Sequence, residues 1–331
     1  MIHNATLKKI SQVLGISIST VSRALKDHPD IAKQTKQKVK DLAIALDYEP
    51  NTFAIQLRTN HSSLFGVIVP SISNNFYESF IAAVEEESRK TGYSLLILQS
   101  ANDSEKEFEN LRICRQNRVR GLFMCISPAT NNFTPFEKFK DQDTPVIYFD
   151  KIPEMIAGNK VSIDDELCAK MIAEIIIEKN KKTVLAIFGN ESMSITKRRM
   201  EAFCNLMEQK GKKIKLTILH ASSTGGARTG AAKHLNQKNR PDCIFCMSDE
   251  ILIGVIKQVQ SLQLKVPEEL SIISMSNGFI PALYYPEISY VETSGYQLGK
   301  LAYTQMLACI SGNQQLQELT VKPIYVSGGS I

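Results

Sequence analysis

The chain of 331 residues contains no tryptophan, five histidines and seven cysteines. The histidines are scattered, so they indicate neither a metal site nor a catalytic centre. An odd number of cysteines in a large chain is typical of reduced thiols rather than of a disulfide framework. Cys243 and Cys246 form a CxxC without the second pair that a zinc site needs, and their apolar context predicts a buried strand. We therefore expect no metal and no cofactor.

Long apolar runs and enzyme motifs are also missing. No run approaches the roughly 18 apolar residues that span a membrane. The opening residues MIHNATLKKI lack the apolar core of a signal peptide, which favours a cytoplasmic protein with no membrane partner. There is no GxGxxG behind a strand, no GxSxG and no HExxH, and residues 225–230 (GGARTG) lack the P-loop spacing. These absences argue against an enzyme.

Positive charge is concentrated at the amino end. Residues 1–62 contain nine Lys and Arg against five Asp and Glu, whereas the rest of the chain contains 30 against 29. Most of the net charge of +5 therefore falls in the first fifth of the sequence. This asymmetry is expected of a phosphate-binding head on a nearly neutral body.

Residues 6–25 (TLKKISQVLGISISTVSRAL) predict two short helices joined by a tight turn at Gly15. Thr6 and Ser17 are suited to cap these helices. Each helix has apolar residues at helical spacing, which predict a buried face: Leu7, Ile10, Val13 and Leu14 in the first, Val21 and Leu25 in the second. This is the pattern of a helix-turn-helix, whose second helix fits the DNA major groove. A third helix over about 35–46 completes the head.

The motif GxSxxTVSRxL, from Gly15 to Leu25, resembles the DNA-binding headpiece of the LacI/GalR family of bacterial transcription regulators. Residues 47–59 (DYEPNTFAIQLRT) resemble the hinge helix of that family, and residues 64–77 (LFGVIVPSISNNFY) resemble the start of its effector domain. The resemblance implies a homodimeric repressor that binds double-stranded operator DNA under the control of a small-molecule effector. No heptad repeat follows the last strand, which favours a dimer over a tetramer.

The resemblance assigns DNA contacts to the head and to the hinge. Ile18, Ser19 and Arg23 are expected to read bases, and Arg23 is suited to a bidentate contact with guanine. Other polar residues are expected to position the head on the DNA backbone: Thr6, Ser17, Thr20, Ser22 and His28. The hinge helix is expected to enter the minor groove with one face: Asn51, Ala54 and Leu57. A leucine inserted at a base step there would kink the duplex.

Beyond residue 63, short apolar strands alternate with amphipathic helices, which predicts parallel sheets covered on both faces. Two such runs indicate two doubly wound lobes, and the resemblance implies the periplasmic-binding-protein-like α/β architecture. We expect a head at 1–49, a hinge and linker at 50–63 and an effector domain at 64–331. The lobes of that domain are expected at 64–161 plus about 293–319, and at 162–292 plus about 320–331.

Ligands of open α/β sheets lie at the carboxyl ends of the strands, so an effector is expected between the lobes. The resemblance maps its contacts onto polar and aromatic residues: Ser73, Asn74, Phe76, Tyr77, Asp150, Arg199, Ser248, Asp249, Ser276 and Asn277. Arg199 is the strongest candidate, because a guanidinium can donate two parallel hydrogen bonds to a hydroxyl pair or a carboxylate.

The class of the effector stays open at this stage. Ser248 and Ser276 stand where sugar-binding relatives often have other groups, and no tryptophan is present to stack on a sugar ring. A sugar, a sugar derivative, or a carboxylated or phosphorylated metabolite fits the sequence, either as inducer or as corepressor. The alternative function is that of a solute-binding protein with an unused head, and the head itself argues against it.

Overall fold

The computed structural model describes residues 6–48, 62–140, 143–153 and 157–331. The chain divides into two compact units, Met1–His61 and Ser62–Ile331. The hinge residues Asn51, Ala54 and Leu57 lie outside the described residues, so their roles stay predictions.

The described residues of the first unit form three helices, α1 (Leu7–Leu14), α2 (Ile18–Leu25) and α3 (Lys33–Ala45). They enclose a small core whose buried members are Ile10, Val21, Ala24, Val39 and Ala43. Gly15 ends α1 with a φ of 64°, a left-handed conformation that glycine adopts at little cost. The predicted buried face of α1 is wrong at Val13, which is 59% exposed. Val13 falls beyond the edge of the face that the other apolar residues of α1 share.

The second unit consists of two lobes, each built on a sheet with six strands among the described residues. The strands of the first lobe are β1 (Leu64–Val69), β2 (Ser94–Gln99), β3 (Gly121–Met124), β4 (Val146–Phe149), β5 (Asn159–Ile163) and β11 (Glu318–Val321). They are parallel, in the order β11-β5-β4-β3-β1-β2. The helices of this lobe are α4 (Asn75–Lys90), α5 (Ser104–Gln116), α6 (Thr134–Lys140) and α11 (Gly295–Ile310).

The second lobe repeats this plan. Its strands are β6 (Thr183–Phe188), β7 (Lys215–His220), β8 (Cys243–Cys246), β9 (Ser271–Ser276), β10 (Ser289–Glu292) and β12 (Tyr325–Val326). Their order is β12-β10-β9-β8-β6-β7, and only the short β12 is antiparallel to its neighbour. The helices are α7 (Asp165–Glu178), α8 (Ser194–Lys210), α9 (Thr224–Leu235) and α10 (Asp249–Ser261), followed by a 3₁₀ turn (Pro281–Leu283). Central strands such as β8 and β9 are entirely buried, because helices cover both faces of the sheet.

The chain passes between the lobes after β5, after β10 and after β11. The structure moves two of the three predicted lobe boundaries, because the boundary at 161/162 cuts β5 and the boundary at about 319/320 cuts β11. These two strands pair in parallel with each other from Lys160–Glu318 to Ile163–Val321, so both belong wholly to the first sheet. The last part of the chain therefore contributes one strand to each lobe, β11 to the first and β12 to the second.

The CxxC pair lies in β8, where both thiols are free and fully buried. Burial raises the pKa of Cys243 to about 12, so this thiol is not reactive. The prediction of a buried strand at this position is confirmed. Across the described ranges, no three His, Cys, Asp or Glu side chains are grouped to hold a metal ion. No helix in the same ranges has the length and apolar character that a membrane crossing requires.

Candidate functional site

Helix α2 presents the most distinctive surface of the head. Ser17 caps this helix, because its hydroxyl accepts a hydrogen bond from the backbone N–H of Thr20 at 3.1 Å. Val21 and Ala24 are fully buried against the other helices, which leaves the opposite side in solvent. Three predicted base-reading residues are exposed on that side: Ile18, Ser19 and Arg23. The face therefore combines an apolar side chain, a hydroxyl and a guanidinium.

Hydroxyl groups form a connected cluster at the start of α2. Ser17 Oγ lies 2.7 Å from Ser19 Oγ and 2.8 Å from Thr20 Oγ1. These contacts hold both neighbouring hydroxyls at the amino end of the helix, where the backbone dipoles favour a negative group such as a phosphate.

The other predicted backbone contacts of the head are also accessible. Thr6 is exposed and caps α1 by accepting the N–H of Lys9 at 3.2 Å. Ser22 is half-buried in α2. His28 is exposed beyond α2, with its Nδ1 3.3 Å from the carboxylate of Asp30.

The cleft between the two lobes encloses a cavity of about 630 Å³. It lies at the carboxyl ends of strands from both sheets, where ligands of open α/β sheets bind. All ten predicted effector residues line it: Ser73, Asn74, Phe76, Tyr77, Asp150, Arg199, Ser248, Asp249, Ser276 and Asn277. The structure thus brings residues from distant parts of the sequence into one place, while their contact with a ligand stays a prediction.

On the first lobe, the cavity wall is organised by a buried carboxyl group. Asp150 follows β4 with a φ of 58°, and its Oδ2 accepts a hydrogen bond from the hydroxyl of Tyr77 at 2.6 Å. Cys125 Sγ lies 3.6 Å from that hydroxyl. Burial raises the pKa of Asp150, although the charge of Lys151 and the bond from Tyr77 oppose the rise. A polar, largely desolvated group therefore faces the ligand space.

On the second lobe, Asp249 is held at the start of α10. Its carboxylate accepts hydrogen bonds from the hydroxyl of Ser276 and from the backbone N–H of Asn277, the latter at 3.2 Å. Burial raises the pKa of Asp249, and these two bonds oppose the rise. Ser248 caps the same helix through the N–H of Ile251 at 3.4 Å. Asn74 caps α4 in the same way on the first lobe, through the N–H of Phe76 at 3.0 Å.

Arg199 is more constrained than the sequence predicted. Its guanidinium is buried, with Nε donating to Asp165 at 2.8 Å and Nη1 donating to the carbonyl of Met247 at 3.3 Å. Asp165 also accepts a bond from Arg198 at 3.0 Å. The predicted pair of parallel bonds to a ligand is therefore limited to Nη2 and the second hydrogen of Nη1. The sequence did not indicate that Asp165 pairs with Arg199, because acidic residues are common at the starts of helices in general.

Asn277 joins the two lobes. It follows β9 in the second lobe, but its Oδ1 accepts hydrogen bonds from the N–H of Gly295 at 3.0 Å and from Ser79 Oγ at 3.3 Å. Its Nδ2 donates to the carbonyl of Asn75 at 3.3 Å. All three partners lie on α4 and α11 of the first lobe. Most of the hydrogen-bonding capacity of this predicted effector residue is thus used within the protein.

Several polar residues of the cavity wall were missed by sequence reasoning: Ser71, Asn75, Asn102, Lys151, Ser222, Thr224, Glu250 and Thr293. Their position in the sequence could have identified them. Each lies within a few residues of the carboxyl end of a strand or at the start of the helix that follows a strand.

The two units together define a class of protein: a DNA-binding protein whose core is built to hold a small ligand. Comparison with known families agrees with both parts. Residues 6–51 match the family described as bacterial regulatory proteins, lacI family, and residues 173–331 match the periplasmic binding protein-like domain. The chain belongs to the LacI family of bacterial transcription regulators.

Individual relatives match nearly the whole chain. The HTH-type transcriptional regulator RegA of Clostridium saccharobutylicum is 26% identical over 95% of this chain and 94% of RegA. Catabolite control protein A of Staphylococcus aureus is 27% identical over 96% of this chain and 95% of that protein. The Lac repressor dimer bound to operator and the anti-inducer ONPF has the same fold, with a TM-score of 0.88 at 17% identity over 99% of each chain. The relatives are transcription regulators, which confirms that the chain is a regulator and not an enzyme.

Proposed function

We propose that this regulator is a repressor that binds a near-palindromic operator as a homodimer, and that a small metabolite in the cleft controls its DNA affinity. The observation that carries the proposal is the exposed face of α2, with Arg23 held outward by the buried Val21 and Ala24. A two-fold dimer would place two such helices in successive major grooves, about one helical turn apart. Such a DNA partner implies that the protein acts in the cytoplasm.

Each predicted contact of the head has a distinct part in this proposal. Arg23 would read guanine through O6 and N7, whereas Ile18 would make apolar contact, for example with a thymine methyl group. The hydroxyls of Ser19 and Thr20 would stay with Ser17 at the helix start, close to the DNA backbone. The remaining contacts would position the head without reading sequence: Thr6, Ser22 and His28. The hinge residues Asn51, Ala54 and Leu57 would bind the minor groove.

The cleft would control DNA binding by a shift in population. A ligand changes an equilibrium only to the extent that it binds one conformation better than the other. A sugar or sugar derivative that contacts both lobes would favour one angle between them, and with it one spacing of the two first lobes in the dimer. That spacing would determine whether both heads reach their half-sites. The Lac repressor complex with operator and anti-inducer supports this scheme by analogy.

Selection of genomic DNA fragments by the purified full-length protein tests the proposal. We expect enrichment of a near-palindrome. The affinity of the protein for this sequence should differ between samples with and without a pool of metabolites. Arg23→Ala should lose the preference at one symmetric base position, which corresponds to roughly 1–3 kcal/mol of discrimination. Arg23→Lys is the matched variant, because it keeps the charge but lacks the planar fork that contacts guanine.

The outcomes separate three situations. Loss of base preference in both variants assigns base reading to Arg23. Full preference in Arg23→Lys would instead make Arg23 a phosphate contact. Failure to enrich any fragment, in the presence or absence of metabolites, would contradict the repressor proposal and favour a solute-binding protein with an unused head.

A further inference from the structure

Positive charge in the second unit is concentrated in three short segments of its second lobe, 178–182, 208–215 and 236–242. Together these segments contain nine Lys and Arg against three Asp and Glu. The rest of the second unit contains 21 Lys and Arg against 26 Asp and Glu. The nearly neutral total for this unit therefore combines a strongly basic part with an acidic remainder.

The fold brings the three segments together at one end of the second sheet. They lead into β6, β7 and β8, which are neighbours in the order β8-β6-β7. Thr183 pairs with Lys215 in the parallel register, and the N–H of Lys215 donates to the carbonyl of Lys182 at 2.8 Å. The carboxylate of Asp242 accepts the N–H groups of Lys182 and Thr183 at 2.8 and 3.0 Å, which connects the third segment to the first. We call the surface formed by these three segments the basic patch.

Most cations of the basic patch are not used within the protein. Three of the nine are engaged by a hydroxyl or a carboxylate of the same lobe: Lys181, Lys210 and Arg240. The other six are exposed lysines whose ammonium groups have no hydrogen bond or ion pair with any described residue: Lys179, Lys182, Lys212, Lys213, Lys215 and Lys238. A lysine at the end of a helix stabilises the helix dipole, but of these six only Lys179 directly follows a helix. Helix stabilisation therefore does not account for the patch.

The basic patch faces away from the cleft. The cleft lies at the carboxyl ends of the strands, whereas the patch lies at their amino ends. All residues of the patch are described by the structure, and none of them lines the cavity. The chain enters the second unit at β1 of the first lobe, so the segment that comes from the head arrives on the other side of the cleft. The patch is thus a surface separate from the effector site.

The composition of the basic patch favours nucleic acid over a protein or a membrane. The segments contain no aromatic residue, Ile214 is half-buried and Pro241 is buried. Protein interfaces depend on aromatic or aliphatic anchors, and membrane-surface segments depend on apolar side chains that insert between lipids. Lysines accompanied by exposed amides such as Gln237 and Asn239 are typical of contacts with backbone phosphates.

The same composition favours a duplex over a single strand. Proteins that bind single-stranded nucleic acid stack its bases on aromatic side chains, and the patch has none. A duplex offers closely spaced phosphates on its outside, which a group of lysines contacts without access to the bases.

We propose that the basic patch binds the phosphate backbone of a second DNA duplex, without reading its sequence, while the heads hold the operator. The heads keep the protein on DNA, so neighbouring DNA is present at the patch at a high effective concentration. Contact by three or four of the six lysines would be weak and would fall steeply with salt, with a slope of roughly −3 to −4 in log K against log salt. A dimer would in this way connect two segments of DNA without forming a tetramer.

Capture of a second duplex by the full-length protein tests the proposal. An immobilised duplex that carries the selected operator is saturated with protein, and a fluorescent duplex of unrelated sequence is then added at several salt concentrations. Direct titration of the unrelated duplex with free protein gives a second measurement that needs no operator. We expect capture at low salt and its loss as the salt concentration rises.

A triple substitution of exposed lysines identifies the surface: Lys182→Gln, Lys212→Gln and Lys213→Gln. This patch variant should load normally on the operator, but it should capture at least roughly tenfold less of the second duplex, with the salt slope reduced by roughly one to three. Arginine at the same three positions keeps the charge and should preserve capture. The matched control removes three exposed lysines elsewhere in the second unit and should capture the second duplex normally: Lys106→Gln, Lys138→Gln and Lys322→Gln.

Each other outcome overturns part of this assignment. Equal capture by the unmodified protein and the patch variant overturns the proposal, and so does an equal loss in the control variant, which would assign the effect to net charge. Stronger binding of polyglutamate or of vesicles with anionic lipid than of the duplex, lost in the patch variant, would overturn the assignment to DNA. Failure of the unmodified protein to load on any operator concerns the repressor proposal alone, because direct titration still tests the patch.

Discussion

At the scale of single residues, the buried pair of Arg199 and Asp165 is the main electrostatic feature of the core. Both side chains are nearly inaccessible, at 8% and 3% exposure. Taking two charges out of water is costly, and their attraction offsets the cost only when geometry is good and other hydrogen bonds complete the site. Here Arg198 and the carbonyl of Met247 complete it. The pair therefore joins the start of α7 to α8 and β8 behind the cleft.

Asp165→Ala should destabilise the protein by about 3–5 kcal/mol, because it leaves the buried charge of Arg199 without its partner. The matched control is Glu166→Ala in the same helical turn. Glu166 pairs with Lys170 at 3.1 Å, but these side chains are 60% and 48% exposed. Removing such a surface pair should cost less than about 1 kcal/mol. Urea unfolding followed by circular dichroism measures both, and equal midpoints for the two variants would contradict this account.

At the scale of whole elements, α4 and α11 pack unusually closely in the first lobe. A Cβ atom at Gly299 would lie 2.6 Å from the carbonyl oxygen of Phe80, and one at Gly295 would lie 2.2 Å from that of Phe76. The two glycines are four residues apart, so they share one face of α11. This approach also brings the N–H of Gly295 to the side chain of Asn277. The close packing of α4 and α11 thus positions Gly295 for its hydrogen bond to Asn277 of the second lobe.

Gly299→Ala should destabilise the first lobe by about 1–3 kcal/mol, because the added methyl group meets backbone and the helices must separate. The direction of the change in stability is informative, because alanine is a better helix former than glycine and would stabilise α11 if the packing left room for its methyl group. Gly225→Ala in α9 is the control, because a Cβ there meets nothing within 4 Å. That substitution should stabilise the protein by roughly 0.4–1 kcal/mol. Thermal unfolding of the two variants should therefore shift in opposite directions, and a shift of both toward higher stability would rule out the tight helix contact.

The elements differ in how well the sequence predicted them. Strands such as β1 and β6 are continuous apolar runs, and this is the pattern from which the sequence predicted parallel sheets. In contrast, β5 (NKVSI) begins with polar residues, so the sequence pattern does not mark it as a strand, and the predicted lobe boundary at 161/162 fell inside it. The seven-residue α6 was not predicted, because it is too short to show helical periodicity. Local pattern therefore sufficed for long elements and failed for short ones that tertiary pairing stabilises.

The candidate site shows the same division. The sequence located the cavity, because its residues follow strand ends whose meeting point is a property of parallel sheets. It did not reveal that Arg199 is paired with Asp165 or that Asn277 is bonded across the cleft, since both contacts join residues far apart in the chain. Resemblance assigns a residue type to a position, whereas its partners depend on the packing of this particular chain.

At the scale of the whole core, the two lobes are connected by three chain crossings and by contacts across the cleft. Thr293, in the second crossing, lines the cavity and donates its N–H to the carbonyl of Ser276 at 2.8 Å. A ligand that fills the cavity would therefore touch a connection as well as both walls. Coupling of the ligand to DNA binding requires that the ligand favour one arrangement of the lobes. The contacts between the lobes determine how the arrangements are populated in the absence of ligand.

Asn277→Ala tests the contribution of the bonds between the lobes. The variant removes three hydrogen bonds between the lobes, each worth about 0.5–1.5 kcal/mol, so the equilibrium between lobe arrangements should shift by roughly 1.5–4.5 kcal/mol. We expect faster amide exchange at the start of α11, where the N–H of Gly295 loses its acceptor, and a roughly 5–150-fold change in operator affinity without ligand. Ser79→Ala is the graded control, because it removes one of the three bonds, together with the bond from the same hydroxyl to the carbonyl of Phe76 at 2.9 Å, and it should have a smaller effect on both measurements. If exchange increases but operator affinity is unchanged, the lobe equilibrium is not linked to DNA binding. If neither changes, the chain crossings alone hold the lobes in this arrangement.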